Sequence, residues 1–237
     1  MTGALVCVTL LMHYPEHRLT DARIPTNHIY LHVHEYFVKG FNGSFWMDKD
    51  LILIDIEKQV HVNDRSTCGF EVDHISNLTL DNAPGIMSCS NIQAVVALIS
   101  VELAGGPCRS LPLGRRDGTT TNIESANNLP SPFDSPEMLQ EKFKNLGLDD
   151  TDHVALHGAN TFGRVQCQLM QQNCSVGEDE ETLVNLDTVI PNVFDNKYYG
   201  SLLCGCTPLP LTRFSISLKD SLKNYAASMV KMGTEAR

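Results

Sequence analysis

The sequence is short of aromatic residues: they make up 7% of the chain, with one tryptophan. It has no surplus of positive charge. Lys and Arg number 18 against 28 Asp and Glu, a formal net charge of −10 with neutral histidine. Nucleic acid and anionic membranes need a basic face, so neither is expected as a partner. No apolar run reaches the roughly 18 residues of a membrane-spanning helix. A P-loop, a GxGxxG turn and a GxSxG elbow are all missing, which removes the commonest signs of nucleotide binding and serine hydrolysis. Among eight cysteines there is no CxxC pair. The close pairs Cys167/Cys174 and Cys204/Cys206 lack the spacing of a structural zinc site.

What is present is ordinary globular composition. The 237 residues are 42% hydrophobic and 19% charged, enough to bury a core. Residues 3–12 are apolar and read either as a secretion-signal core or as a first helix or strand, with no basic residue before them. Three glycosylation sequons begin at Asn42, Asn77 and Asn173 and do not decide the compartment.

Helical periodicity dominates. Over 135–147, Ser135 suits an N-cap, Pro136 the first helical position and Gly147 the stop, with Leu139, Phe143 and Leu146 on one face. Over 88–104, Ile92, Val95, Val96, Ile99 and Leu103 predict a buried helix capped by Ser88 or Ser90. Over 213–232, Phe214, Leu218, Leu222, Tyr225, Met229 and Met232 predict another, its methionines in the core. Residues 105–134 and 174–192 read as loops. The expectation is one mainly α domain with long loops.

Histidines mark the first places for chemistry. His32 and His34 are followed by Glu35, and two residues apart on a helix they do not share a face. His153, His157 and Asn160 fall at i, i+4 and i+7 on one face, with Thr151 as the expected cap. No HExxH zinc pattern accompanies them.

These segments resemble a known family. HVALHGANTFGRVQC at 153–167 is similar to the proximal haem segment of the plant secretory (class III) peroxidases. YLHVHEYFVKGFNGSFWMD at 30–48 is similar to their distal segment. PGIMSCSNI (84–92), LAGGP (103–107), PLGRRDG (112–118), NLPSPF (128–133), VFDNKYY (193–199) and SMVKMG (228–233) follow in family order. Residues 1–20 match poorly, and 21–237 form the peroxidase-like domain, with two family segments deleted.

The resemblance implies a helical fold holding haem b and two calcium ions, secreted and monomeric. Such enzymes reduce hydrogen peroxide and oxidise small phenolic donors, in peroxide removal and the response to oxidative stress. By that resemblance His34 is the distal acid/base and Asn63 orients it, which keeps a neutral imidazole poised as a base. Tyr30 stands at the distal Arg position; it donates one hydrogen bond but carries no charge. Asn160 stands at the proximal haem-ligand position. His157, one turn earlier, is a substitute ligand only if the helix shifts by about 5 Å. Pro130 is at the substrate-contact position, with Phe133 nearby.

The family's proximal calcium position reads Thr161, Asp187, Ile190 and Val193 (by their carbonyls) and Asp195. The distal one reads Glu35, Val38, Gly40, Asn42 and Ser44 with Glu57 behind, a weakened set with fewer carboxylates. Of the family disulfides, Cys167–Cys174 retains both members, and Cys89 has no partner in the sequence. Three readings follow: an impaired haem peroxidase, a non-catalytic relative, and a calcium-braced binding module.

Overall fold

Serine, proline and glycine at fitting offsets explain one helix from sequence alone. The computed structural model describes residues 24–39, 87–117, 129–131, 133–167, 182–204 and 220–234. Its helices are α1 (Ile24–Lys39), α2 (Cys89–Leu103), α3 (Pro136–Asn145), α4 (Asp150–His157), α5 (Lys197–Cys204) and α6 (Ser221–Thr234). In α3 the Ser135 hydroxyl accepts from the Met138 N–H, Pro136 opens the helix, and Leu139 and Phe143 are buried. Gly147 has φ +80°, the left-handed conformation that ends a helix at lowest cost in glycine.

The mainly α expectation holds, with particular differences. Asp149, not Thr151, caps α4. Its carboxylate accepts from the Thr151 and Asp152 N–H groups, while Asp152 reaches back to the Asp149 N–H. This is a capping box with aspartate in the returning position. The helix predicted at 88–104 is present, and Ser88 accepts from the Asn91 N–H at 3.2 Å. The helix predicted at 213–232 is described as Ser221–Thr234; residues 213–219 lie outside the described residues. Met229 and Met232 are buried as expected.

The segment 174–192 was expected to be loop, but it contains a strand. β1 (Arg164–Gln166) pairs antiparallel with β2 (Leu183–Asn185), with Val165 opposite Val184. The ladder continues through Cys167 N–H to Thr182 O and Leu186 N–H to Gly163 O. Three-residue strands give too little alternation to be read from sequence.

The described residues fall into two compact units. The first takes in those up to Ser100, those of 110–129 and the end of α6 from Gly233. The second takes in 101–109 and 130–232. In the first, α1 and α2 run antiparallel: His28 meets Ser100, and the Glu35 charge is felt at Cys89. In the second, Phe162, Phe194 and Tyr225 form a chain of ring contacts at 5.5 and 4.7 Å. Such pairs add about 0.5–1.5 kcal/mol each beyond burial. Among the described residues, no helix is long and apolar enough to cross a membrane.

Candidate functional site

Helix α1 carries Tyr30 and His34, the residues that the resemblance assigns to the distal side. Tyr30 and His34 are one turn apart and their rings meet edge to face, 6.4 Å between centroids. Glu35 is fully buried beside them in sequence, as are His28 and His32. The Ser100 hydroxyl donates to Val96 O at 2.8 Å. Its single proton is thus used, and the 3.4 Å contact with His28 Nδ1 requires the imidazole to donate. That bond fixes the bearing of α1 on α2. Asn63, Gly40, Asn42, Ser44 and Glu57 lie outside the described residues, and Val38 is placed only as a residue of α1.

Sequence reasoning missed what holds the start of α2. The Asp117 carboxylate accepts from the Cys89 and Ser90 N–H groups at 2.9 and 3.0 Å and from the Ser90 hydroxyl. An acid from the PLGRRDG loop thus satisfies the helix terminus and its dipole. Arg115 braces the same loop, donating to Pro112 O at 2.6 Å and Gly233 O at 3.1 Å. Cys89 is a free thiol, as expected. Burial and the neighbouring Asp117 push its pKa up to about 12, so it stays protonated and unreactive.

On the proximal side, α4 ends at His157 and runs into a 3₁₀ turn, Gly158–Thr161. Asn160 sits in that turn, buried. The tightening interrupts the helical spacing that would keep His153, His157 and Asn160 in strict line. His153 and His157 are brought together, 4.5 Å between ring centroids, and both pack on Phe143. The contact of His157 Nδ1 with His153 O at 2.8 Å makes Nδ1 the donor and leaves the Nε2 lone pair. Burial, then the neighbouring His157, push the His153 pKa down to about 3. Burial also lowers that of His157. Gly158 lies under Tyr199, whose hydroxyl donates to Val154 O at 3.1 Å and contacts Ala155 O at 3.3 Å.

Haem iron is held by His, Cys, Met or Tyr. The residues at the proximal position do not fit that chemistry. Asn160 has no basic nitrogen, and the His157 ring is packed in the Phe143 cluster.

The calcium set fares better. Thr161 and Asp187 are fully buried. The Thr161 hydroxyl donates to Asp195 Oδ1 at 3.1 Å, which also accepts the Lys197 N–H at the start of α5. Asp187 Oδ1 accepts the Val189 N–H at 2.8 Å. Its Oδ2 is buried and has no hydrogen-bond partner. An orphaned carboxylate oxygen is costly, and a hard cation satisfies it. The oxygen donors present therefore fit calcium, with Ile190 and Val193 on the same 187–195 segment. Among the described residues no group of three or more His, Cys, Asp or Glu gathers for a metal.

Pro130 and the exposed Phe133 flank Ser131, whose N–H donates to Asp134 Oδ2 at 2.8 Å. Cys167 is disulfide-bonded, and Cys174 lies outside the described residues. Cys204 is also disulfide-bonded, which the sequence reading did not assign.

Comparison with known proteins identifies the family. The sequence profile described as "Peroxidase" matches residues 13–229. Peroxidase 15 of Ipomoea batatas is 40% identical, over 90% of this chain and 78% of the relative. Peroxidase 54 of Arabidopsis thaliana is 40% identical, over 90% and 72%. The lignin-forming anionic peroxidase of Nicotiana tabacum is 32% identical, over 90% and 79%. A match of this extent on a mainly helical chain has one reading: the protein belongs to the peroxidase family, among the plant secretory (class III) haem peroxidases.

Proposed function

We propose that this protein keeps the reaction class of its family, reduction of hydrogen peroxide with oxidation of small phenolic donors, in a strongly weakened form. The setting is extracellular peroxide removal and the response to oxidative stress. His34 is the base that takes a proton from the peroxide. Tyr30, one turn away, supplies one neutral hydrogen bond where the family resemblance implies a guanidinium. Loss of one strong donor to a developing anion costs about 10²–10³ in rate. Haem b supplies the redox chemistry in this family, and Asn160 does not fit its iron.

The observation that carries the reading is the retained His34 on α1 with the Tyr30 ring one turn away, 6.4 Å between centroids. A purified-protein assay tests it: peroxide-dependent guaiacol oxidation, wild type against Asn160→His. The reading expects low turnover that rises in the variant. Wild-type turnover at the level of active relatives contradicts it.

A second reading is a non-catalytic scaffold braced by calcium through Thr161, Asp187 and Asp195. The buried, unpaired Asp187 Oδ2 favours it. Chelation that lowers the melting temperature, with no turnover in wild type or variant, selects this second reading.

A further inference from the structure

Helix α2 ends in a Schellman motif. Gly106 N–H bonds Val101 O at 2.8 Å and Gly105 N–H bonds Glu102 O at 3.0 Å, with Gly105 at φ +86°. This is the usual left-handed stop. Gly106 has no room for a side chain, since a Cβ would lie 2.9 Å from the Phe194 ring. Phe194 N–H in turn bonds Ala104 O at 2.8 Å. The LAGGP segment is thus clamped against Phe194, and Phe194 packs on Tyr225 of α6. Arg109 leaves this clamp three residues later.

The Arg109 side chain is unusual. Nη1 and Nη2 are both shielded from solvent, and neither has a hydrogen-bond partner. Tyr225 is buried, and its hydroxyl also has none. An uncompensated buried guanidinium costs several kcal/mol. Two open donors on one planar fork match two oxygens of one anion. Burial lowers the Arg109 pKa. Burial pushes the Tyr225 pKa up to about 12, so its hydroxyl keeps its proton and remains a donor.

We propose that Arg109, with Tyr225, forms a buried receptor for one small oxyanion, a carboxylate or phosphate group. The family resemblance assigns neither residue a role. The fork sets the chemistry of the occupant. The shielding of both guanidinium nitrogens and of the Tyr225 hydroxyl from solvent suits a single such group rather than an extended ligand. The anion would tie the segment after α2 to α6.

The test is thermal unfolding of the full chain in titrations of sodium acetate and of sodium phosphate, with ionic strength held constant by sodium chloride. A ligand bound only by the folded state raises the melting temperature saturably. The expected result is such a rise with at least one anion, lost in Arg109→Gln and several-fold weaker in affinity in Tyr225→Phe. Response to phosphate alone assigns a phosphate group, and response to acetate alone a carboxylate. No saturable rise with either, or an equal rise in Arg109→Gln, overturns the proposal. If Arg109→Gln does not fold, Arg109→Lys keeps the charge and loses the fork. Its affinity should fall several-fold, and an unchanged affinity overturns the proposal.

Discussion

Replacing Asp152 by alanine should cost about 3 kcal/mol of stability. Asp152 is the carboxylate on which the α4 start and the α6 face converge. It accepts from the Ser228 hydroxyl at 2.7 Å, from Lys231 Nζ at 2.6 Å and from the Asp149 N–H at 3.0 Å. Hydrogen bonds to a charged group contribute about 1.5–3 kcal/mol each, and half of a capping box about 1 kcal/mol. The Lys231 share is reduced, because its side chain is 33% exposed and Asp149 offers it a second carboxylate at 4.0 Å. The desolvation of Asp152 opposes the sum. Burial by itself raises the Asp152 pKa, but Lys231, Ser228 and the Asp149 N–H outweigh it and hold it below 3.8. A depressed carboxyl pKa means stability that is present above the unfolded value and lost as pH falls through the folded one. Urea unfolding of wild type and Asp152→Ala at neutral pH measures the loss. The same experiment at acid pH should show the gap closing. A double-mutant cycle with Ser228→Ala should give a coupling of about 1–2 kcal/mol. A cost below about 1 kcal/mol at neutral pH, or a gap that does not shrink in acid, refutes the reasoning.

Three further perturbations have definite outcomes. Gly158→Ala puts a methyl group into the Tyr199 hydroxyl and should cost about 2 kcal/mol in urea unfolding; a neutral substitution contradicts the close packing. Cys108 is exposed and free, whereas Cys89 is held protonated. Iodoacetamide labelling of the folded protein, read by peptide mass spectrometry, should mark Cys108 and spare Cys89; equal labelling contradicts the burial argument. His153 faces Phe143, His157, Asp150 and Lys144 and titrates near 3. A lowered histidine pKa means that the unfolded state takes up the proton first, so stability falls as pH drops from about 6.5 toward 3. His153→Leu should flatten that slope, and an unchanged slope between those pH values contradicts the assignment.

Much of the fold is legible because its signals are local. Ser135, Pro136 and Gly147 mark α3 within a dozen residues, and the apolar run of α2 is buried wherever it packs. Signals that fail are non-local or degenerate. Thr151 and Asp149 are both chemically able to cap α4, and only geometry selects Asp149. Asp117 caps α2 from 28 residues away, a distance at which spacing carries no information. The β1–β2 pairing is too short to show alternation. The site divides in the same way. Tyr30, His34, Asn160 and the calcium residues emerge from segment resemblance. The union of Thr161 with Asp195, the His153–His157–Phe143 cluster and the unpaired Arg109 fork depend on tertiary packing.

The most direct measurement is a haem titration of the purified protein, read by Soret absorbance, beside Asn160→His. Wild type should show weak or no Soret development and the variant clear development, because a neutral imidazole is the ligand that the family resemblance implies at position 160. Wild type binding haem as tightly as the variant contradicts it. That result would make Asn160 irrelevant to the iron and His157 the next residue to substitute.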